Sequence, residues 1–339
     1  MKKKLKLIIS SMITTCLLLG GCGQAASNKT SQDSSDQAQS SDEKVDIGIS
    51  SWIGFAPFFV ADEKGIFKKN GVDVNLQMIQ SIADRRTALA AGKLKGFGCT
   101  VDAHVITEAQ GVDVTQVLAL DTSAGGDGIV AKSDINDFKD LKGKQVAIDM
   151  SGGASYFWFH YLLDKNDMTI DDINVVNMSA GDAGAAFVAG KVDAAVTWQP
   201  WLSKAKETSF GHVLMDSTET PGVIVDSLAF SENFVKENPE TVQKIVDSWF
   251  DALDFIKSNP DEANQIMAKG LGQTKEDFEA TLSEVEFYDK SKNKEYFGTE
   301  DKKGALWDVC KSAEDLWYKT KVIDNEPDIK NVIDGSFIN

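Results

Sequence analysis

The sequence predicts an α/β protein made of two similar lobes and finished by a mostly helical segment, and three observations carry that prediction. From Val45 onward, short apolar runs alternate with stretches of helical periodicity, which suits neither an all-helical nor an all-strand chain. An internal echo follows: Asp73-Val74-Asn75-Leu76 leads to Ala88-Leu89-Ala90-Ala91-Gly92-Lys93-Leu94, and Asp172-Ile173-Asn174-Val175 leads to Ala186-Phe187-Val188-Ala189-Gly190-Lys191-Val192. Each copy reads as strand, loop, helix and a glycine suited to a left-handed turn, so two units of one kind are expected rather than one long sheet. Beyond Glu240 the signals become almost wholly helical.

The elements can be justified in order. Residues 1–21 join Lys2, Lys3, Lys4 and Lys6 to an apolar stretch from Leu7 to Leu19 and two glycines, the layout of a secretory signal peptide. That stretch is too short to span a bilayer. It ends in LLGGC, which resembles a bacterial lipobox and makes Cys22 the expected lipidation site. Residues 22–44 follow as a Ser-, Gln- and Asp-rich tether that cannot bury enough surface to fold. A flexible coil of about 20 residues reaches roughly 25 Å. Strands are then expected at Val45–Ser50, Val72–Met78, Phe97–Val101, Gln116–Leu120, Gly128–Ala131, Val146–Asp149, Ile173–Asn177, Ala194–Trp198 and Val223–Ala229, with helices between them. The helical segment is expected at Thr241–Ser258, Asp261–Lys269, Lys275–Ser283 and Thr299–Lys319. The expected organisation is lobe 1 from residues 45–131 plus 225–339 and lobe 2 from 132–224. The chain would cross near Lys132 and Ser133 and return near Gly222 to Asp226, making these crossings a hinge.

Composition excludes several classes. The 339 residues hold 35 Lys plus Arg against 52 Asp plus Glu, a net charge of −17, so nucleic acid is not an expected partner. Removing 1–21 takes four lysines, leaving 31 basic against 52 acidic residues and a net of −21. Arg85 and Arg86 are the only arginines; they read as a solvated helix face, with Arg85 one turn from Ser81 and able to reach an anion. Cys99 and Cys310 read as buried thiols, and His104, His160 and His212 are too dispersed for a metal motif. Asp121, Ser123 and Asp127 briefly suggest a calcium loop, but Lys132 stands where a bidentate Glu is required. No nucleophile, base and orienter set is visible, so no enzyme activity, metal or cofactor is expected. Trp158, Trp249, Trp307 and Trp317 are expected to be core.

Open α/β sheets bind ligands at the carboxyl ends of their strands, and that rule selects the candidate site. In the first lobe it gives Trp52, Ser81, Thr100 and Asp102, with Asp127 and Asp226 near the crossings; in the second it gives Ser151, Gly152, Asp182, Trp198 and Trp201. The Ser151-Gly152-Gly153-Ala154-Ser155 turn suits an anion, because helix N-termini offer free N–H groups. The strand-end carboxylates and indoles suit a compact or planar cation instead. Asp149 and Asp182 serve equally well as helix caps, and Asp127 as a turn residue. Two tryptophans three apart cannot both be buried by strand alternation, so at least one of Trp198 and Trp201 is expected in the cleft.

The segments GIFKKNGVDVNL at 65–76, LAAGKLKGFGCTVDA at 89–103, DLKGKQVAI at 140–148 and AGKVDAAVTWQPWL at 189–202 together resemble the SsuA/TauA/THI5-like solute-binding proteins of ABC importers, over essentially 45 to 290. That resemblance implies a two-lobed periplasmic-binding-protein fold (type II, Venus flytrap) and a role as a monomeric extracytoplasmic lipoprotein. Such a receptor would be anchored to the membrane through its lipid and would hand a small-molecule solute to an ABC permease and its ATPase. It leaves the solute open among nitrate, bicarbonate, aliphatic sulfonates, taurine and pyrimidine precursors. Part of the namesake group makes a pyrimidine, which is the alternative enzyme class. Gly125-Gly126-Asp127-Gly128-Ile129-Val130 is similar to a segment of the branch associated with urea or guanidine carboxylases. With the strand-end carboxylates, this sets the expectation of a guanidine-like cation or nitrogen-rich neutral solute over an oxyanion.

Overall fold

β1 (Val45–Ile49) is buried at four of its five positions because it has a parallel neighbour on each side. Those neighbours are β2 (Val74–Met78) and β3 (Gly96–Thr100). The computed structural model describes residues 44–299 and 301–338. The expected signal peptide, the lipidation site Cys22 and the tether up to residue 43 lie outside the described residues.

The remaining strands are β4 (Val114–Ser123), β5 (Asp127–Lys132), β6 (Gln145–Ile148), β7 (Asn174–Asn177), β8 (Ala194–Trp198), β9 (Gly211–Asp216), β10 (Val225–Ser231) and β11 (Val285–Phe287). They form two mixed sheets, ordered β11-β4-β10-β3-β1-β2 and β7-β6-β8-β5-β9. In each sheet a parallel trio is continued by an antiparallel strand from the other half of the chain: β10 beside β3 in the first, β5 beside β8 in the second. The two halves of the chain thus exchange their fifth strands. This exchange moves the first crossing, since β5 begins at Asp127 and pairs only within the second sheet. The crossing falls at Ala124–Gly126 rather than at the expected 131/132 boundary. Its backbone is fastened to the returning segment, with Gly125 N donating to Ser217 Oγ at 2.7 Å and Ser123 N to Ile224 O at 3.1 Å.

The echoed units fold alike. The helices Ile82–Ala90 and Ala180–Val188 each start on a serine cap, Ser81 and Ser179, whose side chain accepts an N–H from the third helical residue. They run into Gly92 and Gly190 at φ +70° and +72°. Two strands were not expected. β9 is half-buried along its whole length, so it shows no alternation, and β11 has only three residues.

The C-terminal helices pack on the first sheet. Pro239–Ser258 buries Val242, Ile245, Val246, Trp249 and Ala252, a single stripe at helical spacing, and sets Trp249 4.9 Å from Phe58. The expected helix over Thr299–Lys319 is shorter, Ala305–Lys319, and follows a separate helix, Lys290–Phe297. Trp158, Trp249 and Trp317 are fully buried, whereas Trp307 is half-buried under Lys303, whose Nζ sits 3.8 Å from the ring centre. Among the described residues no helix is long and apolar enough to cross a membrane.

Candidate functional site

Where the exchanged strands begin, each sheet places an aspartate. β5 opens with Asp127, paired in register with Trp198 at the end of β8; β10 carries Asp226 at its second position, paired with Thr100 at the end of β3. These four residues, with Trp52 after β1 and Arg85 from the helix Ile82–Ala90, wall one cavity between the sheets. Ser50, Phe55, Ile82, Cys99 and Ala154 complete it. Its volume is about 30 Å³, space for about two waters. A larger open groove of about 700 Å³ beside the helix Lys290–Phe297 shares no residue with it.

A third carboxylate stands behind the wall. Asp121 of β4 lies opposite Asp226 in the ladder, and its Oδ1 accepts the Trp52 indole N–H at 2.9 Å. The indole is wedged between that carboxylate and Gly126, where a Cβ would stand 2.6 Å from Trp52 Cη2. This close approach accounts for one glycine of the 125–128 string. Asp121, Asp127 and Asp226 are all buried, and none is ion-paired to a lysine or arginine among the described residues. Burial pushes Asp127 up to about 7. Burial, with the charge of Asp127 adding to it, pushes Asp121 up to about 8. Burial and the charges of Asp121 and Asp127 raise Asp226 well above the carboxylate range.

Arg85 is the cation of the cavity wall, and its position corrects the expected solvated helix face: it is 2% exposed. The side chain runs over Gly48 of β1, where a Cβ would lie 3.2 Å from Arg85 Cγ, and Nη1 donates to Gly98 O. Burial lowers its pKa, and its Nε has no partner. Arg86 is buried too, with Nε donating to Thr107 Oγ1 at 3.1 Å and Nη1 to Gln110 Oε1 at 2.8 Å. Thr100 Oγ1, Asp121 Oδ2 and Trp198 Nε1 are likewise buried without partners.

Of the residues selected by the strand-end rule, Trp52, Thr100, Asp127, Trp198 and Asp226 line the cavity, with Trp52 and Trp198 coming from the two different sheets. The other expected contacts lie elsewhere. Ser81 is the cap of its helix, and the exposed Asp182 is bonded to its own cap, Ser179 Oγ, at 2.7 Å. Ser151 is turned onto Asp149, to which both its N–H and its hydroxyl donate. Trp201 packs on Gly184 under Lys204. Asp102 and Gly152 join the two halves of the molecule instead: Gly153 N donates to Asp102 Oδ2 at 3.2 Å, and Gly152 presses on Ile106. Burial raises Asp102 to about 6. A second bond spans the opposite side, with Gln199 Nε2 donating to Glu284 Oε2 at 2.6 Å. Both bonds link the two halves of the chain, and the SGGAS turn is held by the protein's own carboxylate.

Arg85 and Cys99 in the cavity wall, and Asp121 behind it, are not among the residues selected by the strand-end rule, although Arg85 reads as able to reach an anion. Cys99 Sγ lies 3.4 Å from His104 Nε2, but burial raises the thiol well above its ordinary value and lowers the imidazole to about 3. That is the opposite of the thiolate and imidazolium an activated nucleophile needs. No group of three or more His, Cys, Asp or Glu among the described residues is placed to hold a metal.

Two mixed sheets, an exchanged strand in each and a cavity at their facing ends define the two-lobed periplasmic-binding-protein fold. Residues 52–263 match the family model described as NMT1/THI5 like, and the chain belongs to that family. Over 341 aligned residues it is 26% identical to a Bacillus subtilis (strain 168) protein provisionally named an aliphatic sulfonates-binding protein, covering 96% of this chain and 94% of that one. The same fold is seen in the periplasmic aliphatic sulphonate binding protein SsuA from Escherichia coli (TM-score 0.69, 19% identity, 86% of this chain and 97% of that one). It is seen again in the alkanesulfonate-binding protein SsuA from Xanthomonas axonopodis pv. citri bound to MOPS (TM-score 0.73, 17% identity, 86% and 98%).

Proposed function

We propose that this chain is the extracytoplasmic receptor of an ABC importer and that it closes on a small, planar, nitrogen-rich cation of the guanidine type. The observation that carries this reading is the pairing of Asp127 and Asp226 across a cavity flanked by two indoles. Buried carboxylates that form no ion pair and outnumber the one guanidinium facing them bind a desolvated positive charge, and indole faces attract it further. A cavity this small suits a solute of a few heavy atoms. The receptor role itself is supported by the fold, the family and the names of the relatives above. The lipid anchor at Cys22 and the monomeric state belong to the same proposal. Membrane fractionation reads the anchor: Cys22→Ala is expected to release or misprocess the chain, and unchanged retention would count against it.

A second reading, an oxyanion such as an aliphatic sulfonate, taurine, nitrate or bicarbonate, is favoured by Arg85 Nε and Thr100 Oγ1, donors without partners beside the cavity. The names of the sulfonate-binding relatives point the same way. One pair of variants separates the two. Asp127→Asn and Asp226→Asn keep the size of the side chain and delete one negative charge each. For guanidinium titrated calorimetrically, at least one of them is expected to weaken binding more than about tenfold, or roughly 1.4 kcal/mol. If guanidinium does not bind the native chain, while taurine or an alkylsulfonate does and both variants bind it as well or better, the oxyanion reading replaces the first.

A further inference from the structure

Asp121, Asp127 and Asp226 reach one place from three strands, β4, β5 and β10, and each adds to the cost of charging another. The groups facing this trio are few. Arg85 approaches from the helix Ile82–Ala90, Cys99 from β3, Asp102 from the helix Val101–Ala109 and Tyr288 from the segment after β11; Asp149, after β6, acts on Arg85. Arg86 is taken up by Thr107 and Gln110, and burial keeps His104, the imidazole of this region, neutral near pH 7. Against three carboxylates the cavity wall thus sets one guanidinium. Three ionised carboxylates around a space of about two waters, beside a single compensating charge, are too costly to desolvate, so the solute-free cluster keeps protons. Asp121 shows where one can sit: Oδ1 is engaged by the Trp52 indole, while Oδ2 is buried with no partner.

We propose that the Asp121–Asp127–Asp226 cluster exchanges a proton for its solute, so that a monocation entering the cavity expels about one proton to solvent. The inference rests on the cationic reading above and adds to it a means of discrimination. Charge balances at each capture, with one positive charge arriving as the solute and one leaving as the proton. Affinity for the cation rises with pH, whereas a neutral molecule of the same shape displaces nothing and gains nothing from higher pH. The cluster thereby separates guanidinium from urea by charge, even though both are planar and present amide-like edges.

The test is calorimetric titration of the full chain with guanidinium chloride, far below denaturing concentrations, in buffers of different ionisation enthalpy. The dependence of the observed heat on the buffer gives the number of protons released. At pH 7 that number is expected to be about 0.5 to 1, and affinity should rise by up to about tenfold per pH unit between pH 6 and 8. Asp121→Asn, which keeps an acceptor for the Trp52 indole, should lower the number of protons released. Buffer-independent heat with affinity flat in pH would overturn the proton exchange and leave the cationic reading standing. Full release from folded Asp121→Asn, Asp127→Asn and Asp226→Asn alike would overturn the assignment to this cluster. Guanidinium failing to bind between pH 6 and 8.5 would overturn both, and urea binding with equal proton release would overturn the discrimination.

Discussion

Trp52 and Trp198 hold their places for different reasons, and the difference sets their expected effects. Trp52 is locked by a hydrogen bond to Asp121 and by the missing side chain of Gly126. Trp198 faces the cavity because it ends β8 opposite Asp127. Loss of an indole from a desolvated cation costs about 1 to 2 kcal/mol, or about five- to thirtyfold in affinity. Calorimetry is expected to show that loss for Trp52→Ala and for Trp198→Ala, while Trp201→Ala, packed on Gly184 away from the cavity, leaves affinity unchanged. Equal affinity in all three would remove the indoles from the site. The strand-end rule reached Trp52, Thr100, Asp127, Trp198 and Asp226 because each sits where a strand stops or starts at the cleft. It misplaced Ser81 and Asp182 because Ser and Asp satisfy helix N–H groups as readily as they bind solutes. Arg85 was illegible for another reason: its burial depends on Gly48, in a strand 37 positions earlier, lacking a side chain.

At the scale of elements, the SGGAS turn shows how one local pattern served a different end. A helix N-terminus opened by glycines reads as an anion site. Here the anion is Asp102 of the other half, so the helix Ala154–Lys165 is capped across the cleft and closure itself satisfies its N–H. Gly152 adds a steric condition, because a Cβ there would overlap Ile106 Cδ1. Gly152→Ala is therefore expected to hinder closure and weaken solute binding. Adding Ile106→Val, which removes that Cδ1 at a cost of about 0.5–1.5 kcal/mol in stability, should recover part of the affinity. The part not recovered reflects the φ of +95° at Gly152, a conformation that alanine strains to adopt. A double variant as weak as the single, by calorimetry, would show that the overlap is not what limits closure. The strands were readable where burial alternates or runs continuously, and β9 was not because it is half-buried throughout. The exchange of β5 and β10 was not readable either, since apolar pattern marks a strand without naming its partner.

For the whole molecule, the strand exchange has a thermodynamic consequence. It brings Asp127 from one half of the chain beside Asp226 from the other, so folding and closure together bury carboxylates that are solvated in the unfolded chain. Asp102 is held up to about 6, Asp127 about 7, Asp121 about 8 and Asp226 higher than its ordinary range. A carboxyl whose folded pKa is raised binds its proton more tightly when folded. Its contribution is complete below the unfolded value near 4 and is lost as pH rises through the folded value. The buried histidines pull the other way: His104 is lowered to about 3 and His160 to about 4, so they cost stability as pH falls below 6.5. Four carboxyls outweigh two imidazoles between pH 5 and 8, and above 6.5 the imidazoles contribute almost nothing. The melting temperature of the solute-free chain is thus expected to fall steadily from pH 5 to pH 8. Saturating guanidinium should flatten that fall, because it supplies the positive charge the ionised cluster lacks. A Tm that rises across this range without solute would mean that the carboxyls do not hold their protons in the folded chain.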